Sequence, residues 1–136
     1  MLPSFKKVPL DLRELAVGTL GVIEFNTIGF MPERIYWISN VPTGITRGHH
    51  AHKELRQLIW AVSGSVSVDL YAGETISHYE LDRNSPALSL QPGLWRVLKN
   101  FTPDATVLVL CDRQFEESDY IRDYDEYLAW HKEAYA

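Results

Sequence analysis

Residues 65–70 read Ser-Val-Ser-Val-Asp-Leu, which sets Val66, Val68 and Leu70 on one face of an extended chain and Ser65, Ser67 and Asp69 on the other. A period of two is the mark of a strand with one buried face. Short runs rich in Val, Ile, Leu, Tyr and Trp recur at Thr19–Phe25, Arg34–Ser39, Leu58–Ser63, Ile76–Leu81, Ala87–Leu90, Trp95–Asn100 and Ala105–Cys111, separated by Gly, Pro, Asn and Asp. Gly64 and the pair Ala72-Gly73 read as turns closing hairpins. Strands at this spacing, with no helical pattern between them, predict an all-β sandwich or small barrel rather than βαβ units. From Glu117 onward the pattern changes. Tyr120, Ile121, Tyr124, Leu128 and Trp130 recur at roughly helical spacing, so a C-terminal helix capped by Ser118 and packed on the β body is expected. With no repeat, low-complexity stretch or linker, residues 1–136 read as one domain.

Composition narrows the partners. A chain that is 46% hydrophobic and 23% charged can bury a core. Thirteen Lys and Arg against eighteen Asp and Glu leave a net charge of −5, and no basic run exists, so nucleic acid is not an expected partner. An anionic ligand would need locally placed arginine or lysine. The longest uncharged stretches, such as Gln57 to Val68, are 12 residues, short of the roughly 20 a spanning helix needs. Asp11, Arg13 and Glu14 interrupt any apolar leader. Neither a membrane segment nor a signal peptide is expected, and the expected location is the cytoplasm. The single cysteine, Cys111, ends an apolar run and reads as a buried, inert thiol.

Chemistry concentrates at His49, His50 and His52. On a strand His50 and His52 share a face, a pairing that serves either metal ligation or proton transfer. The surrounding frame of Gly44, His50-Ala51-His52, Gln57 and Gly64 resembles the first motif of the cupin superfamily of small jelly-roll barrels, and Pro92-Gly93-Leu94-Trp95-Arg96 with Asn100 resembles the second. Where metal-binding cupins carry a glutamate this chain has Gln57, and where they carry a last histidine it has Arg96. An amide lacks the anionic oxygen, and a guanidinium has no lone pair to offer and repels a dication. The site therefore reads as metal-free, with the histidines released for acid–base work.

A narrower resemblance covers most of the chain. Arg47-Gly48-His49-His50-Ala51-His52-Lys53 with Gln57 and Ala61–Ser65, then Pro92–Phe101, then Glu117–Tyr124, together resemble the sugar nucleotide 3,4-ketoisomerases, the WxcM-like cupins. The resemblance implies a homodimeric enzyme, needing no cofactor, that moves the keto group of dTDP-4-keto-6-deoxyglucose from C4 to C3 and so supplies 3-amino-3,6-dideoxy sugars. It assigns catalysis to His50, His52 and Tyr36. Arg47 matches the motif arginine; Lys53, Gln57, Trp95, Arg96 and Asn100 are candidates for binding the substrate, as is Arg122 for its diphosphate. His49 stands at a variable position and is expected to point outward. Trp37, Trp60 and Trp130 are expected in the core or an interface. Two other readings stay open: a metal-free 3,5-epimerase of the same sugar, which also uses a histidine base and a tyrosine acid, and a non-catalytic sugar-binding cupin.

Overall fold

The computed structural model describes residues 3–136. In chain order its strands are β1 (Phe5–Val8), β2 (Asp11–Leu15), β3 (Gly18–Val22), β4 (Arg34–Ser39), β5 (Arg47–His52), β6 (Gln57–Ser63), β7 (Ser65–Ala72), β8 (Thr75–Asp82), β9 (Ala87–Leu90), β10 (Trp95–Lys99), β11 (Thr106–Cys111) and β12 (Tyr120–Ile121), followed by helix α1 (Tyr124–Ala134). Two five-stranded sheets run β1-β9-β6-β11-β4 and β12-β5-β10-β7-β8, and β2 with β3 forms a separate hairpin. Neighbours in each sheet pair antiparallel, and chain-distant strands lie side by side. This is the all-β jelly roll expected of a cupin.

The alternation at 65–70 does what its period requires. Val66, Val68 and Leu70 are buried and meet Ile59, Ala61, Leu88, Leu98, Val107 and Val109 between the sheets. The opposite face is less open than an alternating strand suggests: Ser67 and Asp69 are also buried. Glu80 on β8 accepts the Ser67 hydroxyl proton, and Asp69 is held by Lys99 and His78.

Gly64 makes the β6–β7 turn at φ 63°, where a Cβ would sit 2.6 Å from the Ala105 backbone. Left-handed backbone costs about 1–2 kcal/mol and overpacking about 1–3 kcal/mol. Gly64→Ala is therefore expected to destabilise the fold by roughly 3 kcal/mol, read as a lower urea midpoint with an unchanged slope.

The C-terminal expectation needs correction. The helix begins at Tyr124, and its N-cap is Asp123, whose carboxylate accepts the Glu126 N–H, not Ser118. Glu117–Asp119 form a single 3₁₀ turn, and Tyr120 and Ile121 join the second sheet, opposite His52 and Ala51. Strand pairing captures these two residues because Ile121 is buried there beside Ala51, Trp95 and Tyr127. The Tyr127 hydroxyl then ties the helix to the sheet, donating to the Gly93 or Tyr71 carbonyl and accepting from the Gly73 N–H.

Candidate active site

The site lies between the two sheets, and strand register assembles it. On the second sheet, His50 on β5 stands opposite Arg96 on β10, and His52 stands opposite Tyr120 on β12. On the first sheet, Cys111 on β11 is flanked by Arg34 on β4 and Gln57 on β6, and Val109 by Tyr36 and Ile59. A bulge tunes the second row. Gly48 at φ 91° and His49 at φ 54° are both left-handed, and β5 and β10 slip register between Arg96 and Val97. A Cβ on residue 48 would lie 2.9 Å from the Arg96 carbonyl oxygen. His49 is thereby turned outward, its Nε2 bonding the Thr46 hydroxyl at 2.7 Å.

These rows face a cavity of about 410 Å³ lined by, among others, Arg34, Tyr36, Arg47, His50, Gln57, Arg96, Tyr120 and Arg122. His52 sits behind it, fully buried, its ring centroid 5.0 Å from that of His50 and 4.3 Å from that of Tyr120. The Nδ1 of His50 bonds the Gly48 carbonyl at 3.0 Å and that of His52 meets Asp119 Oδ2 at 2.9 Å. A carbonyl and a carboxylate accept only, so each Nδ1 carries the proton and each Nε2 is a bare acceptor. Neither Nε2 has a partner among the described residues.

Burial and then the Arg96 cation push His50 down from 6.5 to about 3. Burial, Arg96 and His50 push His52 down as well. Both rings are neutral near pH 7, as bases must be before they act.

Gln57 and Arg96 fill the positions where metal-binding cupins place two ligands. Arg96, buried, donates from Nη1 to Gln57 Oε1 and from Nη2 to the Leu94 carbonyl. With its oxygen committed, Gln57 donates from Nε2 to the Tyr36 hydroxyl at 3.2 Å. The phenol oxygen is thus an acceptor on one side, leaving its own O–H to donate elsewhere. Burial raises the Tyr36 pKa, which keeps that proton in place. The donor set does not fit a resident metal: a guanidinium, with no lone pair to offer, occupies one ligand position, and an amide whose oxygen it has taken occupies the other.

Three candidates lie away from the cavity. Trp95 precedes the inward-facing Arg96, so the pleat sends it to the outer face, against Tyr124 and Tyr127. Lys53 follows the inward-facing His52 and is exposed, lining a surface hollow with Ser4, Pro92 and Tyr135. Asn100 lies past the end of β10 at φ 56° and donates to the Ser67 hydroxyl on the outside of the sheet. Trp60 is buried, but Trp37 is 63% exposed at the cavity mouth rather than in the core. Cys111 is fully buried as expected, with Sγ 3.5 Å from Gln57 Nε2.

The site also holds residues the sequence reading passed over. Arg34 shares parity with Tyr36 on β4, a signal that was present. Tyr120 comes in through β12, with the Arg122 guanidinium 4.2 Å from its ring centroid.

Residues 4–132 match the FdtA family, described as WxcM-like, C-terminal. The chain belongs to this family. It is 36% identical over 125 residues, 91% of this chain and 86% of the relative, to a TDP-4-oxo-6-deoxy-alpha-D-glucose-3,4-oxoisomerase of Aneurinibacillus thermoaerophilus. Among solved structures it resembles QdtA, a sugar 3,4-ketoisomerase of Thermoanaerobacterium thermosaccharolyticum crystallised with TDP, with a TM-score of 0.92 and 33% identity over 97% of both chains. A mutant of QdtA holding TDP-4-keto-6-deoxyglucose matches with a TM-score of 0.92 and 34% identity over 98% of this chain and 97% of that one.

Proposed function

We propose that this chain is a sugar nucleotide isomerase that moves the keto group of TDP-4-keto-6-deoxy-D-glucose from C4 to C3. The observation that carries the reading is the cavity itself, which sets a neutral histidine and a hydrogen-donating phenol beside a buried guanidinium, in a family whose named relatives perform this reaction.

The chemistry follows from the sugar. The C3–H of a 4-keto sugar is acidified because its carbanion delocalises into the C4 carbonyl as an enediolate. A base removes the C3 proton, an acid delivers one to C4, and protons exchange between O3 and O4. His50 and His52 supply bare Nε2 acceptors, and Tyr36 supplies a donor whose direction Gln57 and Arg96 set. Arg96 and its neighbours stabilise the charge that develops on the enediolate. Arg34, Arg47 and Arg122 line the same cavity and give an acidic chain a local field for the diphosphate. Among the described residues this reading gives Lys53, Trp95 and Asn100 no contact within the cavity of one chain. Trp37 is the exposed aromatic at its mouth for stacking on base or sugar.

We further infer that the enzyme is a homodimer working in the cytoplasm, where nucleotide-linked sugars are made, and that its product feeds 3-amino-3,6-dideoxy sugar synthesis. Support for the dimer is an apolar groove of about 440 Å³ on the outside of the first sheet, lined by Leu10, Leu12, Val22, Phe25, Ile35 and Val62. A monomeric mass by light scattering at micromolar concentration would rule the dimer out.

Proton NMR of TDP-4-keto-6-deoxyglucose with the protein in D₂O tests the activity, with the His50→Asn, His52→Asn double variant as control. The isomerase reading expects new 3-keto signals from wild type alone. Deuterium at C5 with loss of the gluco configuration would make the protein an epimerase instead. An unchanged spectrum from both proteins would mean that this substrate is wrong or that the barrel only binds.

A further inference from the structure

The two motif histidines differ in what stands behind them. His50 leans on a neutral carbonyl, that of Gly48, whereas His52 leans on the Asp119 carboxylate, 67 residues away in the chain. Asp119 is 7% exposed and His52 is 0% exposed. The carboxylate is held on its other side as well: Oδ1 accepts the Glu54 N–H at 2.7 Å, and the Asp119 carbonyl accepts the Lys53 N–H at 3.0 Å. The β12–β5 pairing that sets Tyr120 opposite His52 fixes the same segment. Among the described residues no lysine or arginine side chain bonds Asp119; the imidazole is its one hydrogen-bonded chargeable partner, with the Arg113 cation farther off.

A buried carboxylate with this geometry admits one tautomer of the ring. We propose that Asp119 is a positioning residue for the keto transfer: its carboxylate holds His52 as the Nδ1–H tautomer, keeping Nε2 as the proton acceptor beside His50 and Tyr120. The inference rests on the isomerase reading. When Nε2 accepts a proton released in the keto transfer, the electron pair stays on the substrate as enediolate or alkoxide and the ring becomes imidazolium. Asp119 keeps its charge throughout and receives no proton. That charge matters because the groups facing His52 from the other elements are cationic or cation-forming: Arg96 from β10, Arg34 from β4, Arg122 after β12, and His50 on its own strand. The Asp119 carboxylate is the hydrogen-bonded anion that offsets them when the ring charges.

Two-bond proton–nitrogen NMR correlations of the substrate-free, ¹⁵N-labelled protein read the tautomer without any turnover. Wild type is expected to show His52 protonated at Nδ1 and bare at Nε2. Asp119→Asn keeps an acceptor for the Glu54 N–H but turns an amide towards the ring. It is expected to populate the Nε2–H form and to lower kcat roughly 10²–10⁴-fold, with KM within about threefold. Asp119→Glu is expected to keep the wild-type tautomer and recover part of kcat. A wild-type His52 protonated at Nε2 would overturn the proposal. So would an Asp119→Asn variant that keeps the wild-type tautomer and loses activity only in step with its stability. If wild type leaves the sugar nucleotide unchanged, the isomerase reading fails, and the tautomer in the same sample still decides whether Asp119 sets His52.

Discussion

His50→Asn is expected to lower kcat for TDP-4-keto-6-deoxyglucose by about 10²–10⁴-fold, the range for losing a general acid–base group, while KM changes only a few-fold. His50 is the motif histidine that lines the cavity, and asparagine is near it in size, so loss of proton transfer is separated from loss of shape. The pH profile carries the sharper content. In the free protein His50 is held near 3, first by burial and then by Arg96, with Arg122 and His49 adding to the effect. A base that weak is poorly matched to a neutral-pH reaction. The substrate supplies the correction, because a diphosphate bound among Arg34, Arg47 and Arg122 brings negative charge that offsets the cations depressing the ring. The acid limb of kcat/KM, which reports the free enzyme, should therefore lie below that of kcat, which reports the complex. Steady-state rates from pH 4 to 9 check this: kcat should fall at the acid end of that range while kcat/KM, whose limb lies near 3, holds its plateau. Coincident limbs would mean that the diphosphate does not tune the base.

Strand parity decided how much of this site was legible. The period of two that placed Val66, Val68 and Leu70 in the core also puts His50 with His52 and Tyr36 with Arg34. The same rule argues against naming both Arg96 and Trp95, or both His52 and Lys53, as lining residues, since adjacent strand positions face opposite ways. Asn100 has the parity of Arg96, but the strand ends before it, and a left-handed turn carries its side chain outward. Other features had no local signal. Asp119 belongs to His52 through a pairing across 67 residues, and the aromatic spacing at 120–130 suits a helix as well as it suits a short strand followed by one. The Gly48-His49 bulge needs two consecutive left-handed residues, which a histidine in a histidine-rich strand does not announce.

Acid should destabilise this protein well before its carboxylates titrate. Proton linkage gives the sign: His50 takes a proton near 6.5 when unfolded and near 3 when folded, so between those values the unfolded chain binds more protons and stability rises with pH. The contribution is complete above pH 6.5 and is lost as pH falls towards 3. At pH 5 the loss relative to neutral pH is about 2 kcal/mol for this one ring. His52 and His131 are depressed by burial too and act in the same direction. A domain of this kind has about 5–15 kcal/mol in total, so the effect is large on that scale. The buried Asp69 carboxylate behaves oppositely. Its hydrogen bonds to Lys99 and His78 outweigh burial and lower its pKa from 3.8, so its share is present above that value and is lost only at lower pH. Measuring between pH 7 and 5 isolates the histidines. Urea unfolding at the two pH values should show wild type losing stability, and His50→Asn should lose about 2 kcal/mol less. If both lose the same amount, His50 is protonated in the folded protein at pH 5, and the account of a neutral base facing the cavity fails with it.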